Sequence, residues 1–106
     1  MLRKERVMLV VVQHQLIDPP TAFIRGERLK RAEGAPEAAR VLQFLPSRDG
    51  TYVTCLWESE SVDDLQAYVD ETLGDSSRNV CFAVEESAAF AELPTGVAAL
   101  PAPVVA

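Results

Sequence analysis

The chain has few of the residues that build metal sites and disulfide scaffolds. Its 106 residues include one histidine, His14, and two cysteines, Cys55 and Cys81. Two cysteines do not make a disulfide framework, and neither lies in a CxxC or histidine-rich setting that would indicate structural zinc. We therefore expect two free, buried thiols and no structural zinc site.

Long apolar runs, an excess of basic charge and familiar catalytic motifs are also missing. The longest apolar run, Val7 to Val12, falls well short of the roughly 18 residues that span a membrane, and no small-residue cleavage site follows it. A net charge of −6 argues against a nucleic-acid partner. No GxSxG, P-loop, GxGxxG or HExxH pattern occurs, so we predict no cofactor. We expect a cytoplasmic protein with no membrane or nucleic-acid partner.

The most regular pattern in the chain runs from Phe44 to Gly74. Ser47 to Gly50 is typical of a tight turn, and Thr51 to Glu58 is rich in the β-branched and aromatic residues of strands. Ser61 suits the N-cap of a helix, with Asp64 three residues later. Apolar residues then recur at helical spacing, at Val62, Leu65, Tyr68, Val69 and Leu73. This stretch predicts a strand, a turn, a second strand and a capped helix.

The remaining elements complete a known arrangement. They are a central strand over Val7 to Leu16, a helix from Asp18 to about Glu33, and strands over Arg40 to Leu45 and Asn79 to Glu85. The order βαββαβ predicts a ferredoxin-like α+β fold. Right-handed crossovers give an antiparallel sheet in the order 4-1-3-2 with both helices on one face. We expect a single domain over residues 1–94 and an Ala/Pro/Val-rich C-terminal tail over residues 95–106.

The sheet face without helices is predicted to be apolar. Strict alternation in the second strand places Leu42 and Phe44 on one face and Val41, Gln43 and Leu45 on the other. Both sets contain large apolar residues, and an apolar open face needs a cover. We therefore predict a two-fold homodimer that pairs through the open sheet face.

The stretch CLWESES, from Cys55 to Ser61, is followed by an amphipathic helix. Together with the predicted topology, it resembles the dimeric α/β-barrel superfamily, whose two sheets close around a central cavity, near a family of small ferredoxin-like proteins that includes nickel-binding members. The histidine associated with the second helix of the nickel-binding members has no counterpart here, where Ala67, Tyr68 and Val69 occupy that position. No metal is therefore predicted. More distant relatives of the superfold include monooxygenases and isomerases that act on small ring compounds.

The predicted sheet selects which polar residues meet. His14 lies near the end of the first strand, and the starts of its antiparallel neighbours bring Tyr52 and Asn79 into range. Trp57 shares the parity of Cys55 and is expected to pack under the helices. In the candidate catalytic site, His14 is a general base, Tyr52 is a proton donor, and Asn79 orients a substrate or stabilises an enolate-like oxygen. The alternatives for His14 are a hydrogen-bonded strand-end histidine and a metal ligand.

Three functions stay open at this point. The first is a small-molecule-binding ferredoxin-like dimer. The second is a cofactor-free isomerase or monooxygenase on a small organic substrate, with His14 as its base. The third is a structural or partner-binding dimer without a ligand. An apolar cavity around His14, Tyr52 and Asn79 would favour binding or catalysis.

Overall fold

The computed structural model describes residues 6–98 and has an α+β fold. Residues 1–5 and 99–106, which include most of the predicted tail, lie outside the described residues. The elements in chain order are β1 (Met8–Leu16), α1 (Pro19–Lys30), β2 (Arg40–Pro46), β3 (Tyr52–Ser59), α2 (Val62–Leu73), a short 3-10 turn (Gly74–Ser76) and β4 (Ser77–Ala83). None of the helices within residues 6–98 is both long enough and apolar enough to cross a bilayer.

The four strands form one antiparallel sheet in the order β2-β3-β1-β4. This confirms the predicted strand order, and the arrangement fits the ferredoxin-like class. The core lies on the side of the sheet that faces the helices. Its largest fully buried side chains there include Trp57 on β3, Val10 and Val12 on β1, and Leu65 and Val69 on α2.

Caps fix where α2 begins and ends. The Ser61 side chain accepts a hydrogen bond from the backbone N–H of Asp64 at 3.1 Å, as the sequence predicts. At the other end Gly74 adopts φ +56°, a conformation that a side chain strains. The guanidinium of Arg25 on α1 donates to the last carbonyl of α2, that of Leu73, at 2.8 Å. These contacts tie the two helices together where the chain enters β4.

The predicted faces of β2 are wrong at Val41. The register shifts between Val41 and Gln43, so that Val41 pairs with Trp57 while Phe44 pairs with Cys55. A bulge inserts one residue into a strand and reverses the alternation beyond it. Both Val41 and Phe44 therefore lie on the helix side of the sheet, where strict alternation had separated them.

The two outer edges of the sheet are poorly suited to adding another strand. The side chain of Gln66 on α2 donates to the carbonyl of Asn79 at 2.9 Å and accepts from the N–H of Cys81 at 2.9 Å. It therefore occupies backbone groups on the free edge of β4. The opposite edge strand, β2, contains the bulge and ends at Pro46, and both features disfavour edge pairing.

The open face of the sheet carries exposed apolar residues. Four of them on three strands are exposed, namely Leu45, Tyr52, Val80 and Phe82. Val11 and Leu56, which pair across β1 and β3, lie half-buried between them. The predicted apolar open face is thus present, whereas dimerisation itself stays a prediction.

Candidate functional site

His14 lies on the helix side of the central strand and is only 3% exposed. It pairs with Val53 on one side and with Asn79 on the other. The carbonyl of Asn79 points outward to Gln66, so His14 and Asn79 form a pair without mutual backbone hydrogen bonds, the kind in which side chains come closest. Their side chains meet at 2.7 Å between Nδ1 and Oδ1.

A chain of side-chain hydrogen bonds fixes which nitrogen of His14 carries the proton. The carboxylate of Asp70 only accepts, so the Asn79 amide nitrogen faces it at 2.9 Å. The amide oxygen of Asn79 then faces His14, and it also accepts from the hydroxyl of Ser77 at 2.7 Å. Nδ1 of His14 must therefore be the donor. In the neutral ring this leaves a lone pair on Nε2.

Burial keeps the His14 ring neutral. Desolvation lowers the pKa of His14 from its ordinary value of 6.5, while the hydrogen bond to Asn79 and the charge of Asp70 act in the opposite direction. The lowered pKa means that the imidazole near neutral pH is a base rather than a cation.

A cavity lies between the sheet and α1, and His14 forms part of its wall. Its volume is about 40 Å³, room for about three water molecules. Counting the mouth that opens to solvent, the cleft holds about 460 Å³ of space outside protein atoms. His14 lines the cavity and its Nδ1 is taken up by Asn79 on β4, which leaves Nε2 as the ring nitrogen that can serve a ligand there. No hydrogen bond to Nε2 is present within residues 6–98.

Trp57 also lines this cavity, and its indole nitrogen is a second polar atom without a hydrogen-bond partner within residues 6–98. The residue is 1% exposed and lines the wall, and its ring packs edge-on against Tyr68 with centroids 6.3 Å apart. The indole Nε1 is buried without a hydrogen-bond partner in the described part of the chain. Trp57 does interact with the Cys55 thiol, but this interaction has the smallest of the effects on the pKa of that thiol, and sulfur is a poor acceptor.

Lys30 is the cationic residue in the wall. Its ammonium lies 4.6 Å above the centre of the Phe44 ring and 3.1 Å from a carboxylate oxygen of Glu27. Burial raises the pKa of the neighbouring Cys55 thiol to about 12, although the charge of Lys30 opposes this. Cys55 is thus a protonated, unreactive part of the wall. Both cysteines are free as expected, but only Cys55 is buried; Cys81, predicted to be buried, is half-buried on the edge strand β4.

Tyr52 is not brought together with His14. Val53 is the residue that lies opposite His14, and Tyr52 pairs with Gln15. Successive residues of a strand point to opposite faces, so the Tyr52 side chain lies on the open face, where it is 55% exposed. Sequence position along the strand suggested proximity, but the parity of the pairing decides against it.

Two residues of the site were missed by sequence reasoning. Asp70 is an exposed acidic residue of α2, as is typical of a solvated helix face, and its contact with Asn79 depends on how α2 crosses β4. Lys30 is the last residue of α1, whose apolar pattern is weak, so the sequence does not mark it as a site residue. As for metal ligands, residues 6–98 contain no group of three His, Cys, Asp or Glu side chains arranged to hold an ion.

The tautomer is directly measurable, because His14 is the single histidine. Nitrogen-15 spectra near neutral pH are expected to show a neutral ring with its proton on Nδ1, and a pKa below 6.5. Asn79→Ala removes both the acceptor that holds the Nδ1 proton and a contact that raises the pKa. We expect a further fall in pKa and a gain of the Nε2–H tautomer. Tyr52→Phe, on the opposite face, should change neither; a wild-type proton on Nε2 would contradict the assignment.

The chain was compared with protein-family models, curated proteins and solved structures, and none of these comparisons found a match. The resemblance to the dimeric α/β-barrel proteins therefore stays a prediction, and the function must be argued from the site itself.

Proposed function

We propose that this protein is a homodimer that binds a small, largely apolar molecule in the cavity between the sheet and α1. Nε2 of His14 accepts a hydrogen bond from the ligand. The observation that supports this most strongly is the lone pair on Nε2, held in place by Asn79 and Asp70 in an apolar cavity. This site lies on the helix side of the sheet, whereas the resemblance to the dimeric α/β-barrel proteins implies a cavity on the open face.

The free energy of unpaired polar atoms favours a bound partner. Leaving a buried donor or acceptor without a hydrogen bond costs about 1–3 kcal/mol. Nε1 of Trp57, a residue of the cavity wall, is one such buried donor. Nε2 of His14 makes no hydrogen bond within residues 6–98, so a ligand that donates to it gains a hydrogen bond that the free protein lacks and that supplies specificity in an otherwise apolar wall.

A ligand of ring size must widen the cavity, since the enclosed volume is only about 40 Å³. The wall on the α1 side is suited to this. A Cβ added at Gly26, which lines the cavity, would meet nothing within 4 Å. Only Ala22 and Leu29 of α1 are buried. The ligand is therefore expected to enter by displacing α1 from the sheet.

The dimer is proposed to form through the open sheet face, with a second copy of the chain as its occupant. Gln66 occupies backbone groups at the β4 edge, and the bulge and Pro46 protect the β2 edge. Assembly by strand addition is therefore disfavoured, while the apolar face remains exposed. An isologous pairing of this face on itself buries the same residues twice.

Binding is testable with phenol and toluene, which differ in a hydroxyl donor but little in size. Trp57 is the single tryptophan and lines the cavity, so its fluorescence reports occupancy there. In His14→Leu we expect phenol affinity to fall about tenfold relative to toluene affinity, equivalent to about 1.4 kcal/mol for the lost hydrogen bond. Tyr52→Phe is the control and should change the affinity for neither ligand. Equal losses for both ligands, or no binding of phenol to the wild type, would refute the proposed site.

The dimer is tested by placing the same charge on two exposed apolar residues. Phe82→Asp puts a carboxylate on the open face, and Ile24→Asp puts one on α1, where the side chain is 75% exposed. Sedimentation equilibrium is expected to show a dimer for the wild type and Ile24→Asp, and a shift towards monomer for Phe82→Asp. A monomeric wild type at micromolar concentration would remove the dimer from the proposal and leave the cavity untouched.

A cofactor-free isomerase or monooxygenase with His14 as base is the second candidate. The observation that favours it is the direction of the hydrogen bonds, because an Nε2 that accepts a proton becomes an imidazolium stabilised by Asn79 and Asp70. In the isomerase case, His14 removes a proton from a carbon beside a carbonyl and returns it at another carbon. Deuterium from D₂O should then enter a cyclic enone in the presence of the wild type and not with His14→Gln. Equal incorporation by both would exclude His14 as the base.

A further inference from the structure

The wall of the cavity formed by residues 6–98 contains one basic side chain, that of Lys30, and no acidic one, although the protein as a whole is acidic. Residues 19–39, which comprise α1 and the loop after it, contain four basic and three acidic residues, whereas the whole chain has a net charge of −6. Lys30 is the basic residue of this segment that lines the cavity. Its side chain is 39% exposed and pairs with Glu27, which is itself 55% exposed, so the pair is weak and exchangeable.

The polar groups of the wall are spaced for a ring with substituents at its two ends. His14 lies on β1, and Lys30 lies above Phe44 on β2, with β3 between those strands. His14 pairs with Val53 and Phe44 pairs with Cys55, so the two positions are two strand spacings and two residues apart, about 12 Å between their backbones. A span of this order accommodates one aromatic ring with a polar substituent at each end and a hydrogen bond of about 2.8 Å beyond each substituent. The rings of Phe23, Phe44 and Trp57 supply the apolar wall between them.

From these features we propose that the ligand is a small aromatic acid with a hydroxyl or N–H group at the end away from the acid. The carboxylate lies at the mouth against Lys30, and the donor group reaches Nε2 of His14. This inference rests on the proposed binding function and adds the charge and length of the ligand. The carboxylate takes the place of the Glu27 carboxylate at the Lys30 ammonium.

The test compares 4-hydroxybenzoate with phenol, using the fluorescence of Trp57. Wild-type protein is expected to bind 4-hydroxybenzoate at least tenfold more tightly than phenol, and added salt should reduce that ratio. Lys30→Met should bring the ratio of the two affinities to about one, and Lys30→Arg should retain most of the preference for 4-hydroxybenzoate. Glu27→Gln should increase it, because the competing carboxylate is gone. Arg31→Met removes the same charge from a residue that is paired with Glu33 and does not line the cavity, so it should leave the ratio almost unchanged.

The outcomes separate this inference from the function on which it rests. If phenol binds and 4-hydroxybenzoate binds no more tightly, the aromatic-acid inference is wrong and the binding site stands. An equal loss in Arg31→Met and Lys30→Met would also overturn it, because the effect would then be long-range charge rather than contact with Lys30. If neither compound binds to the wild type, the proposed function is wrong as well.

Discussion

The hydrogen-bond chain from Asp70 through Asn79 to His14 is the constraint on which the site depends. Asp70 accepts only, so Asn79 has one possible orientation, and His14 then has one donor nitrogen. The antiparallel pairing of β1 with β4 places the two side chains together, and α2 brings the carboxylate. Because all three links lie in regular elements, the lone pair on Nε2 is fixed by the fold and not by a loop.

The sheet divides the molecule into two surfaces with different roles. Its helix side holds the cavity, where, within residues 6–98, Nε2 of His14 makes no hydrogen bond and Trp57 carries a buried donor without a partner. Its open side exposes apolar residues such as Val80 and Phe82. Gln66 on α2 covers the free edge of β4 and also donates a hydrogen bond to the Asp70 carboxylate at 3.1 Å. Assembly and binding are thus proposed for opposite faces, so each is expected to respond to its own mutations.

Much of the fold was predictable because the local signals agree with one another. The cap at Ser61, the helical spacing in α2 and the apolar β1 all point to the same topology, and the strand order follows from the handedness of the crossovers. Parity was harder. A single inserted residue near Val41 reverses the face of the rest of β2, and no glycine or proline marks the bulge. The prediction that Tyr52 lies beside His14 was wrong for a related reason, since a position near the same end of the sheet does not determine which face the side chain occupies.

The candidate site was predictable only in part. The pair His14 and Asn79 follows from antiparallel pairing of two predicted strands, which sequence can supply. The cavity does not follow from the strand pairing, because it lies between α1 and the sheet and depends on how side chains pack around Gly26 and Leu29. The same packing brings Lys30 over Phe44. Long-range packing of a weakly amphipathic helix leaves little trace in the spacing of its residues.

The central claim is that Nε2 of His14 is the acceptor offered to a ligand in the helix-side cavity. The nitrogen-15 chemical shifts of the two ring nitrogens during addition of phenol test it most directly. The account predicts that Nε2 shifts progressively with saturation while Nδ1, held by Asn79, changes little. Trp57 fluorescence that saturates without any change at Nε2, or a shift confined to Nδ1, would contradict it.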